Sequence, residues 1–309
     1  MRWVTYISPA VGTDRPGLVR DDVIHGLQEP EALRDLLGDE ATMRAAAERA
    51  VSSPLEIVPF PSARLRAPVP VPPSIRDFMA FESHVANSRR RLGQEVDPDW
   101  YELPVFYFTN PAAVCGPHDD VAVSPGSSQF DYELEIAAVV GRPGTNLSPD
   151  RAESHIAGYT VMCDWSARDL QMREMRQLLG PAKGKDSATS LGPVLVTPDE
   201  LESRRRGHAY DLEMTASVNG VPYSRGNLAD LHWSFGQMLA YASRGTRVET
   251  GDVLGSGTVG TGCILELSGL HGVERFPWLR RGDEVRLDVE QLGAITTTII
   301  EGASVVPLK

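Results

Sequence analysis

The sequence predicts a mainly β protein with peripheral helices, an α+β chain, and three observations carry that expectation. From Val105 onward, apolar runs of strand length follow one another, some alternating and some continuous. Asn219-Gly220 separates the alternating stretches DLEMTASV and VPYSRGN, a strong signal for a type I′ hairpin. Helical patterning is confined to a few windows, such as ATMRAAAERA and LHWSFGQMLAYASRGT.

In chain order, residues 1–70 read as a small N-terminal α+β unit, with strand-like RWVTYIS and GLVRDDVIHGL before helical EALRDLL and ATMRAAAERA. PSARLRAPVPVPPS cannot be helical, because each proline lacks a donor and clashes with the preceding turn, so it reads as an extended linker into a main domain over residues 71–309. From Ile75, IRDFMAFESHVANSRRRLG fits one amphipathic helix or a pair of short ones, with Phe78, Phe81 and Val85 on one stripe. Arg89, Arg90 and Arg91 then fall at the end that the helix dipole favours for cations. FDYELEIAAVVG and GYTVMC read as strands on either side of a helix opened at Ser148. QLLGPAKGKDSATSLGPVLV is a loop entering a strand; it approximates a Walker motif, but Asp186 stands at the last position and no helix follows, which argues against nucleotide binding. Trp233, Met238 and Leu239 read as core. GDVLGSGTVGTGCILELSG, including the apolar stretch around Glu266, reads as a strand whose glycines serve either close approach to a ligand or tight turns. EVRLDVEQLG and AITTTIIEG complete the strands.

The chain has 309 residues, 41% hydrophobic and 23% charged, an ordinary globular composition. A net charge of −12 and a pI near 5.1 exclude a protein built to hold phosphate backbones or an anionic membrane surface, both of which need clustered Lys and Arg. No signal-peptide core and no run of membrane-spanning length is visible, so the expected location is cytoplasmic. Cys115, Cys163 and Cys263 are isolated and odd in number, which points to reduced, structural thiols.

The chemistry begins at FDYELEIAAVVG. In a strand, Glu133 and Glu135 project to the same face, while Tyr132, Leu134 and Ile136 face the other way. Either that face is wet, or two neighbouring carboxylates in apolar surroundings take up protons or find a cation. A third acid, Asp164, ends the strand GYTVMC and can meet the pair from a neighbouring strand, and three carboxylates suit a hard divalent ion. Any histidine taken alone, His84 included, reads as structural before catalytic. Lys185 is either a partner for an oxyanion or carboxylate, or simply exposed.

YELE, CDWSARDLQ, the loop GKDSAT, and GDVLGSGT with LELS, in this order from Ile75 to the C-terminus, resemble the fumarylacetoacetate hydrolase family. The resemblance implies a twisted, mixed β-roll and a metal-dependent enzyme acting on a small dicarbonyl acid. It implies that Glu133, Glu135 and Asp164 ligate Mg²⁺, with Mn²⁺ or Ca²⁺ as alternatives. Asp77, seven residues before His84, becomes a fourth ligand, and Thr189 falls near the metal. His84 resembles the general base and Glu266 its orienting carboxylate. Arg168, Gln171 and Lys185 match catalytic positions; Tyr107 and Thr258 match substrate positions, with Arg91 the nearest candidate for a substrate-binding arginine. A homodimer is implied as well.

The implied activity is hydrolysis of a carbon–carbon bond in a β-diketone or acylpyruvate-like acid by His84-activated water; the alternative is a lyase or isomerase, an oxaloacetate-type decarboxylase or keto–enol tautomerase. Histidine suits water activation because its pKa lies near working pH, and a buried acid would fix its tautomer. Three departures bear on the substrate. Met79 replaces a substrate-contacting tyrosine, MREMRQLLG is longer than its counterpart and lacks an aromatic hydroxyl, and the segment from His84 to Trp100 is short.

Overall fold

The computed structural model describes residues 1–91 and 93–309. Its strands in chain order are β1 (Arg2–Ile7), β2 (Asp14–Arg20), β3 (Val23–Gly26), β4 (Ile57–Pro59), β5 (Leu65–Arg66), β6 (Ile75–Phe78), β7 (Phe106–Thr109), β8 (Leu134–Val140), β9 (Ile156–Asp164), β10 (Thr189–Val196), β11 (Glu213–Val218), β12 (Val221–Asn227), β13 (Val253–Gly255), β14 (Glu284–Val289) and β15 (Gly293–Ile300). Five longer helices accompany them: α1 (Glu40–Ser52), α2 (Glu82–Arg91), α3 (Arg168–Met175), α4 (Phe235–Ala242) and α5 (Ile264–His271). The expected class, mainly β with peripheral helices, is what the chain adopts.

A twelve-stranded mixed sheet forms the centre, in the order β4-β3-β2-β1-β10-β9-β8-β13-β6-β7, with β5 on β1 and the short strand Val114–Cys115 on β10. The N-terminal residues are part of this sheet: Arg2 and Trp3 pair with Val196 and Leu195. The proline-rich stretch is not wholly extended, because Pro61 and Ser62 end a 3₁₀ turn (Phe60–Ser62); after it β5 pairs with β1, and Ala67 and Val69 are buried. A second sheet of five strands, β12-β11-β14-β15 plus Val121–Ala122, packs on one face of the first. Its β11–β12 hairpin turns at Asn219 and Gly220, with φ of 52° and 74°, the left-handed pair a type I′ turn requires.

The middle of the central sheet is covered on both faces, and β8, β9 and β10 are accordingly buried along their whole length. Along β8 the side chains divide cleanly. Leu134, Ile136, Ala138 and Val140 enter the core shared with the five-stranded sheet. Ala137 and Val139 enter a second core with Trp3, Leu33, Met43, Ala46, Met162 and Leu191, over which α1 lies. Asp39 caps α1, accepting from the amides of Ala41 and Thr42.

Two sequence expectations need correction. Ile75–Phe78 is a strand, because it is hydrogen-bonded between β13 and β7, and only Glu82 onward is helical. The stretch around Glu266 is a helix, α5; its amides at Ile264 and Leu265 are captured by the Asp131 carboxylate, 133 and 134 residues distant, a cap no local pattern displays.

Candidate active site

Period 2 extends the apolar face of Ala137 and Val139 to Glu135 and Glu133, and neighbouring strands bring further acids to the same face. Glu135 is the register partner of Met162, so Asp164, two residues on, lies beyond it. Asp77 of β6 pairs with Gly255 and with Tyr107. Thr189 is the partner of Asp164. All of these carboxylates are buried, so the wet-face reading of Glu133 and Glu135 fails.

Gly255 makes this convergence sterically allowed. A Cβ there would lie 2.5 Å from Asp77 Oδ1 and 3.0 Å from Glu135 Oε2. The role left open for the glycines is, at this position, the close approach of two acids across an intervening strand.

Lys185 is buried and donates to Glu133 Oε2 at 2.5 Å and to Asp164 Oδ2 at 2.7 Å. Tyr107 donates its hydroxyl to Asp77 Oδ2 at 3.1 Å and also to Asp164. Arg168, at the start of α3, donates through Nε to Asp131 at 2.8 Å, lies 2.8 Å from Glu133 Oε1, and donates to Gln171 at 3.1 Å. The Gly257 amide donates to Glu135 Oε2 at 3.0 Å, and the Thr258 hydroxyl to Oε1 at 3.5 Å.

Burial, reinforced by Asp164, pushes Asp77 well above the usual carboxylate range. Glu135 moves the same way through burial and the charges of Asp77 and Glu133. Burial also raises Asp164, against the pull of Lys185. For Glu133 burial is outweighed by Lys185 and Arg168, which hold it below the usual range. Burial works against the charge on Lys185, but Asp164 and Glu133 keep it protonated.

This donor set fits a hard divalent cation. Asp77, Glu133 and Glu135 offer carboxylate oxygens within 4.8 Å of one another. Asp77 Oδ1 and Asp164 Oδ1 are buried without a hydrogen-bond partner, an arrangement that costs free energy unless a cation completes it. Two buried cations, Arg168 and Lys185, stand against five buried acids, Asp77, Asp131, Glu133, Glu135 and Asp164, so ionising all five would call for a further cation.

Beside this cluster stands a second one. His84 on α2 places Nδ1 2.7 Å from Glu266 Oε2 on α5. Glu266 Oε1 accepts from Asn87 at 3.0 Å and from the Thr261 amide at 3.1 Å, so the carboxylate is oriented from three sides. The chain before α5 is tied to the acids by backbone: Cys263 bridges to Glu133, and the Leu134 amide donates to Gly262.

The structure thus gathers His84, Glu266, Lys185, Arg168, Gln171, Tyr107, Thr258, Thr189, Asp77, Glu133, Glu135 and Asp164. Arg91 bonds to none of them; its exposed guanidinium donates to the Leu265 carbonyl of α5, at a cavity that Asn87 and Glu266 also line. Sequence reasoning missed Asp131, which caps α5 and pairs with Arg168 at once. It stands two residues before Glu133, so the spacing that linked Glu133 to Glu135 already pointed to it. Asn87 carried no comparable signal.

Residues 74–300 match the family model "Fumarylacetoacetate (FAA) hydrolase C-terminal". The chain belongs to the fumarylacetoacetate hydrolase family of enzymes. Within that family it is 29% identical over 276 residues to the mitochondrial oxaloacetate tautomerase FAHD2A of Homo sapiens, covering 88% of this chain and 80% of that protein. It is 30% identical over 239 residues to the oxaloacetate tautomerase YisK of Bacillus subtilis, covering 76% and 73%. Among solved structures, maleylpyruvate hydrolase from Sphingobium sp. SYK-6, in complex with manganese(II) and pyruvate, superposes with a TM-score of 0.72 at 22% identity over 98% of this chain and 100% of that one. No helix among the described residues is long and apolar enough to cross a membrane.

Proposed function

We propose that this protein is a keto–enol tautomerase of a small 2-oxo dicarboxylic acid of the oxaloacetate type, dependent on a divalent metal, with Mg²⁺ first and Mn²⁺ or Ca²⁺ as alternatives. The observation that carries this reading is the similarity to oxaloacetate tautomerases across most of the chain, joined to a site that offers both a cation cradle and an oriented histidine. It reverses the order of the two activities expected from the sequence, placing isomerisation ahead of carbon–carbon hydrolysis. Asp77, Glu133, Glu135 and Asp164 would hold the ion, which when bound polarises the carbonyl and carboxylate oxygens of a 2-oxo acid. Glu266 keeps the His84 Nδ1 side engaged, so Nε2 takes the proton from C3 as the C3–H electrons move into the C2–C3 bond. Negative charge then grows on the C2 oxygen, which the buried ammonium of Lys185, held against Glu133 and Asp164, would stabilise. Transfer of a proton from the His84 imidazolium to the C2 oxygen gives the enol, and the reverse sequence gives the keto acid, without water as nucleophile.

The decisive experiment follows the ultraviolet absorbance of enol-oxaloacetate after mixing with metal-stripped protein, with and without Mg²⁺. Metal-dependent acceleration of ketonisation, with no loss of carbon dioxide and no new acid, is the expected result; an unchanged rate with every metal overturns the reading. Hydrolysis of an acylpyruvate is a second reading, favoured by the buried His84–Glu266 pair, which suits activation of water. Metal-dependent cleavage of acetylpyruvate into two acids would establish it. A homodimer is part of the same proposal, and light scattering showing a monomer at micromolar concentration would remove it.

A further inference from the structure

The oxygen Glu266 Oε2 has two neighbours of different chemistry. His84 Nδ1 lies 2.7 Å away and Cys263 Sγ 3.6 Å away. Ligand atoms of all three residues lie within 4.8 Å of one another, and all three side chains are buried. Asn87 and the Thr261 amide occupy the other oxygen, the kind of outer support that orients a metal-bound carboxylate. One nitrogen, one sulfur and one oxygen form a donor set unlike the neighbouring all-oxygen cradle. Mg²⁺ and Ca²⁺ prefer the oxygen cradle, whereas Zn²⁺ takes thiolate and imidazole readily.

We propose that Zn²⁺, or another thiophilic divalent ion, binds Glu266 Oε2, His84 Nδ1 and Cys263 Sγ and thereby switches the His84–Glu266 pair off. Zinc–ligand lengths of about 2.0–2.3 Å and tetrahedral angles put a sulfur–oxygen edge near 3.5 Å, which the 3.6 Å separation already meets. The nitrogen–oxygen edge needs about 3.3 Å, so the 2.7 Å hydrogen bond has to open by roughly half an ångström, a side-chain adjustment. Binding releases one proton to solvent, that of the Cys263 thiol, while the imidazole proton moves from Nδ1 to Nε2, so the neutral ring no longer has a nitrogen free to accept a proton from substrate. With the ion on Nδ1, the imidazole loses the carboxylate that supports its proton uptake. Inhibition of this kind does not depend on which dicarbonyl acid the protein turns over.

The test keeps Mg²⁺ saturating, so that the oxygen cradle is filled, and adds Co²⁺ as a spectroscopic probe for Zn²⁺. One equivalent should produce a near-ultraviolet thiolate-to-cobalt band that disappears in C263S and persists in C115S. X-ray absorption of the zinc-loaded natural protein should show one sulfur at about 2.3 Å. In turnover, C263S should raise the inhibitory Zn²⁺ concentration at least about tenfold. A zinc shell of oxygen and nitrogen alone, or a cobalt band that survives in C263S, overturns the proposal. If C263S does not fold, the absorption measurement on the natural protein decides the matter by itself.

Discussion

Asp77, Glu135 and Asp164 come from three strands of one sheet, whereas His84 and Glu266 come from two helices packed side by side. On the sheet, backbone ladders fix Asp77, Glu135 and Asp164 to one face and one register, so these three carboxylates stay together although their charges oppose it. The helix pair has no such ladder between its members. Its alignment rests on side chains, with Asp131 capping α5, Asn87 reaching from α2 to Glu266, and a backbone bridge at Cys263. The comparison teaches that the charged half is held by topology and the proton-carrying half by a few replaceable contacts.

Substitutions should separate the halves. Glu135→Gln removes one cradle oxygen and should lower metal-supported turnover on the order of 10³-fold, the scale of several kcal/mol of electrostatic stabilisation. The same change should raise the melting temperature of the metal-free protein, because it relieves a buried acid facing Asp77; a lower melting temperature would contradict the topological account. Asp131→Ala strips Arg168 of a buried partner and α5 of its cap, with an expected loss of about 3–5 kcal/mol in urea unfolding. His84→Ala should reduce tautomerisation by about 10²-fold while leaving Mn²⁺ titration unchanged, since His84 belongs to the other half. Gly255→Ala, whose methyl would collide with Asp77 and Glu135, should weaken metal binding by about 10–100-fold in calorimetry without altering the His84–Glu266 contact. Asn87→Ala is the mildest, about 1 kcal/mol, read as a fivefold fall in kcat with KM unchanged.

Legibility in the sequence follows the same division. Period 2 is local, so Glu133, Glu135, Asp164 and the Asn219-Gly220 hairpin can be read from neighbouring residues. Glu266 cannot: CILELS is too short and too apolar to distinguish a strand from a helix, and the cap that decides lies on another strand. Ile75–Phe78 misled for a related reason, since its strand partners at Val253–Gly255 and Phe106–Thr109 outweigh the apparent helical stripe. The pairing of His84 with Glu266 became visible only through family resemblance, because 182 residues separate them.

The pairing of β1 with β10 also bears on how the chain is made. β1 leaves the ribosome about 180 residues ahead of its partner, a wait of roughly 10–40 s at 5–20 residues per second. Until then β2 to β4 can zip onto one side of β1, while the other side, carrying Arg2 and Trp3, keeps an open row of amides and carbonyls available to any passing strand. Nascent chains should therefore be most prone to coaggregation, and most in need of a chaperone, between synthesis of α1 and of Val196.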